Sequence, residues 1–191
     1  MKQIEMQYKT ERTILELTNE SLAKEVLDYY TRNREFLENF EPKRNSEFYT
    51  VENQLELIKS DMNLQKQDRT YRFWIRLKEN DLIIGTVSIS SIVRGAFQSA
   101  FLGYKLDYNY INKGIMTEVI NEVVKIAFEV LNLHRIEANI MPKNEPSIHV
   151  VQKCGFNNEG ISREYLLING IWEDHYHFVK FNENWKIWDL A

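Results

Sequence analysis

The segment from Ser99 to Met141 constrains the fold most, because its residue pattern changes from strand to helix and back to strand. SAFLGYKLDY is strand-like, apolar residues then recur at helical spacing from about Gly114 to about Leu131, and HRIEANIM is strand-like again. A helix between two strands supplies the long crossover connection that parallel pairing requires. The pattern therefore predicts a sheet in which some strands run parallel.

The elements on either side of this segment predict an α+β fold. Those expected before it are a strand at Ile14 to Leu17, helices over LAKEVLDYYTRN and VENQLELIKSDMNLQKQ, and antiparallel strands YRFWIRL and LIIGTVSISSIV. Those expected after it are a helix over PSIHVVQKC and a hairpin of GISREYLLI and IWEDHYHFVKF. No linker-like stretch interrupts them, so we expect residues 1–191 to form one domain with a mixed sheet of about seven strands and about four helices.

The composition argues against several classes of protein. A net charge of −4 disfavours a dedicated nucleic-acid binder, and no run of about 18 apolar residues predicts a membrane span. The N-terminal stretch MKQIEMQYKTERT is too polar for a secretory signal. A single cysteine, Cys154, leaves no internal disulfide framework and no multi-cysteine metal site. We therefore expect a cytoplasmic protein.

The INKG segment, Ile111 to Gly114, lies where the strand-like and helix-like patterns meet. A helix that begins just after Gly114 leaves its first backbone N–H groups unpaired at the positive end of the helix dipole. Glycine admits a ligand close to the backbone, and Asn112 tolerates left-handed backbone angles. The segment is therefore either an ordinary strand-to-helix turn or an anion site of the kind that binds phosphate.

A second motif, NEPSIHVVQKCGF from Asn144 to Phe156, completes a pattern that resembles the GNAT acyltransferases. The resemblance is closest to the RimJ/RimL-like ribosomal-protein N-acetyltransferases, which also show segments like FLENFEPKRNSEFYT and NGIWEDHYHF. It covers nearly the whole chain. It implies a mostly antiparallel sheet that is splayed to admit acetyl-CoA, and acetyl transfer to a primary amine on a small molecule or a protein N-terminus.

The same resemblance implies a set of cofactor-binding residues. The strand at Tyr104, Lys105 and Leu106 is expected to pair with the pantetheine amides, and Asn144 and Ser147 are expected beside the thioester. The pyrophosphate is expected on the backbone of Ile111, Asn112, Lys113, Gly114, Ile115, Met116 and Thr117.

Four positions depart from the family pattern, although Gly114 is retained. Ile111 stands where the family prefers Gln or Arg, Asn112 replaces a common glycine, and Met116 replaces a small residue. Backbone N–H groups do most of the pyrophosphate binding, so these changes are compatible with a site of lower affinity. Val151 stands where many GNAT enzymes place a tyrosine that protonates the departing thiolate, which valine cannot do.

Two roles fit Ser147 and Asn144, and the sequence leaves both open. As catalytic residues, Ser147 would assist the departing thiolate and Asn144 would hold the pantetheine, as the resemblance implies. As structural residues, both would cap the helix that starts near Pro146. The general base is not identified by the sequence: candidates are Glu137, Glu164, Asp174 or a water relay.

Other reactive or exposed-looking residues have simpler interpretations. His134, His149, His175 and His177 lack acidic or cysteine ligands at a recognisable spacing, so no metal site is expected. Cys154 precedes a helix-ending glycine and is expected to be a buried thiol.

Aromatic residues at two places suggest contact surfaces. Phe40 and Pro42 lie in the segment that, by resemblance, forms one wall of the acceptor site. Trp185 and Trp188 are expected to dock either on the domain or on a second subunit, so a homodimer is one option.

Two functions of different class are compatible with these features. The first is an acetyl-CoA-dependent N-acetyltransferase that acts on a primary amine, including a protein N-terminus. The alternative is a non-catalytic module with the same fold that binds or senses acyl-CoA. The departures at the pyrophosphate segment and at Val151 favour the module, and Ser147 favours the enzyme.

Overall fold

The fold is a single eight-stranded sheet with helices on both faces, which confirms the expected α+β class. The structure, a computed structural model, describes residues 3–186, so Trp188 lies outside the described residues. The strands are β1 (Gln7–Lys9), β2 (Thr13–Leu17), β3 (Tyr71–Leu77), β4 (Ile83–Val93), β5 (Ser99–Leu106), β6 (Arg135–Ile140), β7 (Asn157–Ile168) and β8 (Ile171–Phe181). The helices are α1 (Ala23–Arg32), α2 (Arg34–Leu37), α3 (Val51–Lys66), α4 (Ile115–Lys125) and α5 (Glu145–Lys153).

The strand and helix numbers are close to those expected from the sequence. The additional strand is β1, whose three residues QYK are too few to show an alternating pattern. The additional helix is α2, a single turn that follows α1 after Asn33. The helical run expected to end near Leu131 is α4 followed by a π-helical turn, Ile126–Val130.

The two faces of the sheet carry different helices, as neighbouring residues of β3 show. Trp74 packs with α1 and α3, whereas Phe73 packs in the larger cluster with α4 and α5. Because successive side chains of a strand point to opposite faces, α1 and α3 cover one face and α4 and α5 cover the other. We call these the α1 face and the α4 face.

The sheet opens between β5 and β6, the one parallel pair in its strand order β1-β2-β3-β4-β5-β6-β8-β7. These strands are paired only at Ser99–Arg135, Ala100–Ile136 and Phe101–Glu137, although both continue beyond this point. Backbone groups of β5 after Phe101 that would otherwise bond to β6 therefore face a gap. This is the splay that the sequence resemblance implied.

Asp107 fixes the end of β5 against α1, immediately before the INKG segment. Its buried carboxylate accepts hydrogen bonds from Arg32 Nε at 2.7 Å, Asn33 Nδ2 at 3.0 Å and the Asn109 backbone N–H at 2.9 Å. Burial by itself would raise the pKa of Asp107, but the hydrogen bonds from Asn33, Arg32 and Asn109 outweigh it and hold the pKa below its ordinary value of 3.8. The carboxylate form therefore stabilises the folded state.

Replacing Asp107 with asparagine is expected to lower the free energy of unfolding by about 2 kcal/mol near neutral pH, because hydrogen bonds to a charged group are lost. The folded-state pKa is depressed, so this contribution is complete above the unfolded-state pKa and is lost as the pH falls through the folded-state pKa. Urea unfolding from pH 7 down to below the folded-state pKa should show the stability difference between the two proteins shrinking as the pH falls. Glu38→Gln, which removes an exposed pair with Arg34, is the control; an equal loss in both variants would contradict the assignment.

Candidate active site

A cleft of about 580 Å³ lies where β5 and β6 separate. Its walls are the start of α4, the second halves of β5 and β6, the start of α5, and two pieces of the α1 face. Those two pieces are the segment 36–42, which starts in the last turn of α2, and the hairpin of β7 and β8. Residues that contribute to it include Phe36, Phe40, Glu41, Pro42, Tyr104, Lys105, Leu106, Ile111, Asn112, Gly114, Ile115, Met116, Thr117, Asn139, Asn144, Ser147, Leu166 and His175.

The INKG segment presents the N-terminus of α4 to this cleft. Asn112 and Gly114 have left-handed backbone angles, with φ of 58° and 75°, and Gly114 is the N-cap residue of α4. The first hydrogen bond of the helix runs from the Glu118 N–H to the Gly114 carbonyl at 3.2 Å, so the N–H groups before Glu118 have no intrahelical acceptor. The segment can therefore bind an anion with its backbone.

Arg12, the residue directly before β2, contacts the INKG segment and the first turn of α4. The contacting residues are more than 100 positions apart in the sequence. The Arg12 guanidinium donates to the Lys113 carbonyl at 2.8 Å and to Glu118 Oε2 at 2.8 Å. In a trans peptide the carbonyl and the following N–H point in opposite directions, so this contact turns the Gly114 N–H away from Arg12. Sequence reasoning missed Arg12, because nothing local marks a contact of this range.

Glu118 completes this contact as the acceptor for Arg12 and Thr10. The Arg12 backbone N–H donates to its Oε1 at 2.7 Å, and the Thr10 hydroxyl bonds to the same oxygen. Burial would raise the pKa of Glu118, but the hydrogen bonds from Arg12 and Thr10 outweigh it and lower the pKa. The start of α4 is therefore held by a charged carboxylate on its own first turn.

The three expected pantetheine-binding residues of β5 differ in what their side chains do. Tyr104 donates its hydroxyl to the Ser147 carbonyl at 3.0 Å and so ties β5 to the start of α5. Lys105 points to the α1 face and pairs with Glu41 Oε2 at 2.6 Å. Leu106 is buried in the core. All three line the cleft, and their backbone borders the gap.

Asn144 and Ser147 lie at the start of α5, on the α4 face of the gap. The Asn144 side chain accepts a hydrogen bond from the Ser147 N–H at 3.4 Å, as a helix N-cap does. The Ser147 hydroxyl makes no hydrogen bond within residues 3–186, and the residue lines the cleft. Asn144 therefore has the capping role that the sequence left open, while the Ser147 hydroxyl remains available to a ligand.

The three acidic residues considered as bases do not line the cleft. Glu137 is held by Arg135 at 2.5 Å and by His177 Nδ1 at 2.6 Å. Asp174 accepts from the Glu164 backbone N–H at 2.9 Å, and Glu164 itself is exposed. Their contacts are those of structural ion pairs and of a β-bulge.

Two ionisable residues that sequence reasoning did not consider as bases do line the cleft on the α1 face. Glu41 contributes the one carboxylate side chain among the lining residues, and it is paired with Lys105. His175 on β8 has its Nδ1 atom 2.9 Å from the Glu173 carbonyl oxygen. Glu41 stands between Phe40 and Pro42, in the segment that the sequence resemblance placed at the acceptor site. That position could have marked Glu41 as a residue of the site.

The remaining reactive residues have structural surroundings. Burial raises the pKa of the Cys154 thiol to about 11, as expected for a packing residue, and Val151 is fully buried. Trp185 donates its indole N–H to the Asn132 carbonyl at 3.1 Å, so it docks on its own domain. Among residues 3–186 no group of three or more His, Cys, Asp or Glu side chains could hold a metal ion. No described helix is long and apolar enough to cross a membrane.

Comparison with known proteins identifies relatives that share this architecture. A family model described as the acetyltransferase (GNAT) domain matches residues 12–157. The probable N-acetyltransferase YjcK of Bacillus subtilis (strain 168) is 47% identical over 161 residues, which cover 84% of this chain and 87% of that protein.

Two solved structures are similar over most of their length. The ribosomal-protein-S5-alanine acetyltransferase from Vibrio fischeri has a TM-score of 0.91 and 38% identity, covering 96% of this chain and 100% of that one. Mycobacterium smegmatis RimJ in complex with CoA-disulfide has a TM-score of 0.84 and 26% identity, covering 90% of this chain and 82% of that one.

Proposed function

Because the chain belongs to the GNAT acetyltransferase family, we propose that it transfers the acetyl group of acetyl-CoA to the amine at a protein N-terminus, of the ribosomal-protein-alanine type. The observation that carries the proposal is the gap between β5 and β6, because it joins an anion-binding helix N-terminus, free strand backbone and the Ser147 hydroxyl in one cleft. The cytoplasmic location expected from the sequence is part of this proposal.

The cofactor would run through the gap from α4 to α5. Its pyrophosphate would accept hydrogen bonds from the backbone between Asn112 and Thr117, at the positive end of the α4 dipole. Its pantetheine amides would take the backbone positions of β5 that β6 leaves free after Phe101. This path would bring the thioester to Ser147, whose hydroxyl can donate to the departing sulfur.

The acceptor would approach from the α1 face. That side of the cleft is lined by Phe36, Phe40 and Pro42 before α3 and by Leu166 in the β7–β8 hairpin. Leu166 and Ile171 of the hairpin are 44% and 62% exposed, and strand pairing and alternation place them on the same face as His175, so they add exposed apolar surface beside the site. Such a surface favours a peptide chain over a small polar amine. The S5-alanine specificity in the name of the Vibrio fischeri protein points to the same acceptor class.

Mass spectrometry of two matched peptides tests the acceptor. One peptide begins with a free alanine and carries an internal lysine, and the other is identical except that its N-terminal amine is blocked. We expect an acetyl group on the alanine amine of the first peptide and no product from the second. Acetylation of the lysine in both, or of small amines only, would contradict the N-terminal specificity and leave the family assignment intact.

Replacing Arg12 with alanine is expected to raise the Kd for acetyl-CoA about tenfold, because the Lys113 carbonyl would lose the charge-assisted hydrogen bond that orients the loop. Calorimetry measures the Kd, and turnover with S-acetyl-pantetheine, which has no pyrophosphate, should be unchanged. Lys113→Ala is the matched control: its ammonium lies 5.2 Å from the Tyr110 ring and does not line the cleft, so less than about a threefold change is expected. An equal loss with both acetyl donors would show that Arg12 does not act through the pyrophosphate loop.

A further inference from the structure

We propose that His175 is the proton acceptor for the incoming amine and that it acts through its Nε2 atom, an inference that rests on the proposed amine acetylation. The ring lies on β8 with only 4% of the residue exposed, and it lines the cleft on the α1 face. An amine attacks a thioester only after its ammonium form has lost a proton, so the reaction needs such a group within reach of the acceptor.

The hydrogen bond of the other ring nitrogen sets the protonation pattern of His175. Nδ1 lies 2.9 Å from the carbonyl oxygen of Glu173, and a carbonyl oxygen can only accept. Nδ1 therefore carries the hydrogen of the neutral ring, and Nε2 carries the free lone pair. Nε2 has no hydrogen-bond partner within residues 3–186 and is not among the fully buried unpaired atoms, so it is the nitrogen that a ligand in the cleft can reach.

The strand register places this lone pair on the side from which the acceptor would come. Asn139 of β6 and His177 of β8 are directly paired, so their side chains share a face, and His175 is two residues from His177 on the same face. Ala138 and Ile140 pack on the α4 face, so Asn139, His177 and His175 lie on the α1 face.

Ser147 borders the cleft from the opposite side of the sheet, at the start of α5. A thioester in the gap between β5 and β6 would therefore have His175 on the side of nucleophilic attack. It would have Ser147 on the side where the sulfur leaves. Two groups with opposite tasks, proton removal and stabilisation of the thiolate, are separated by the sheet itself.

The other ionisable side chains of the cleft are less suited to this step. The Oε2 atom of Glu41 is taken by Lys105 at 2.6 Å, while its Oε1 atom is fully buried. His149 and Lys153 belong to α5 on the α4 face. Among the lining residues His175 is thus the group on the α1 face that has a ring nitrogen with no partner within residues 3–186 and not fully buried.

The surroundings of the ring hold it in place without occupying Nε2. The Tyr165 ring of β7 lies 5.5 Å away, and its hydroxyl accepts from Asn139 Nδ2 of β6 at 3.3 Å. The Glu173 carboxylate of β8 is engaged by Lys143. Further charged groups on this side are Glu137 with His177 and Arg135, and Glu41 with Lys105 and Arg44.

The proposed step balances in protons and electrons. The ammonium gives one proton to His175 Nε2, and the nitrogen lone pair then forms a bond to the thioester carbon. The tetrahedral intermediate breaks its C–S bond, and the sulfur leaves with the electron pair. The nitrogen then carries two protons: one goes to the sulfur, directly or through the Ser147 hydroxyl, and the other stays as the amide N–H, while the imidazolium returns its proton to water. The products are the acetylated amine, CoA thiol and one proton in solution.

The test compares His175→Asn with the matched control His177→Asn. The amide nitrogen of asparagine can replace Nδ1 as the donor to Glu173, so His175→Asn keeps the structural hydrogen bond and removes the lone pair. General-base catalysis contributes about 10²- to 10⁴-fold, so we expect kcat/KM for the acceptor peptide to fall at least about 100-fold. The Kd for acetyl-CoA should not change, and added imidazole should restore part of the rate. His177 occupies the same face of the same strand but does not line the cleft, and its variant should keep near-normal turnover.

Each other outcome is decisive. Normal turnover in His175→Asn would overturn the proposal. A loss of kcat/KM that is matched by an equal loss of acetyl-CoA affinity would also overturn it. So would a loss of kcat/KM that added imidazole does not partly restore. If His175→Asn does not fold, His175→Gln, whose amide extends towards the Nε2 position, is judged by the same measurements. If the unmodified protein binds acetyl-CoA but acetylates no amine, the proposed function fails independently of His175.

Discussion

Replacing Ser147 with alanine is expected to lower kcat by about 10- to 100-fold while the Kd for acetyl-CoA stays nearly unchanged. The hydroxyl has no partner within the described residues, so its removal breaks no existing hydrogen bond. A donor to sulfur matters most as the C–S bond breaks and charge develops, which is an interaction of the transition state and not of the ground state. Steady-state kinetics and calorimetry on the same sample measure both quantities.

A residue that only caps a helix is the control for Ser147→Ala. Thr50 is the N-cap residue of α3, where its side chain accepts from the Asn53 N–H at 3.3 Å, and it is not among the residues that line the cleft. Thr50→Ala should lower the free energy of unfolding by about 1 kcal/mol and leave kcat unchanged. If Ser147→Ala behaves like Thr50→Ala, with reduced stability and normal turnover, Ser147 is structural and the thiolate leaves with help from water or a backbone donor.

Replacing Gly114 with valine is expected to weaken acetyl-CoA binding by about 10- to 100-fold. A φ of 75° is unfavourable for a β-branched residue by about 1–3 kcal/mol, so the loop would relax and its N–H groups would turn away from the phosphate positions. A Cβ atom at Gly114 would meet only the Arg12 guanidinium, at 3.6 Å, which is ordinary contact. The effect therefore comes from backbone conformation and from closeness to the ligand, and calorimetry with acetyl-CoA measures it.

Gly95 provides a matched control for the backbone strain. It has a φ of 69° in the β4–β5 connection, and nothing lies within 4 Å of where its Cβ would be. Gly95→Val should show a similar stability loss in urea unfolding but an unchanged Kd for acetyl-CoA. A Gly114→Val protein that binds acetyl-CoA as tightly as Gly95→Val would defeat the pyrophosphate assignment.

The sequence predicted those parts of the fold and site that local patterns encode. The mixed sheet was expected from the strand-helix-strand segment, and the left-handed angle of Asn112 is one that its residue type was expected to tolerate. The strand β1 was missed because three residues are too few to show an alternating apolar–polar pattern.

Groups brought together only by the tertiary fold could not be predicted in the same way. The contact of Arg12 with Lys113 joins residues 101 positions apart, so no sequence window contains it. For His175, the alternation of β8 indicated a face but not the Glu173 carbonyl that fixes the ring tautomer. The acidic residues considered as bases were judged by strand position alone, and the ion-pair partners of Glu137 and Asp174 were visible only in the fold.

The most direct test of the proposed function is thiol release from acetyl-CoA by the purified protein, with and without a peptide that begins with alanine. We predict that CoA thiol appears only when the peptide is present, in an amount equal to the acetylated peptide, and more slowly with the Gly114→Val protein at limiting acetyl-CoA. Tight binding of acetyl-CoA with no thiol release for any amine would contradict the proposal, and would identify the chain as a module that binds acyl-CoA without turnover.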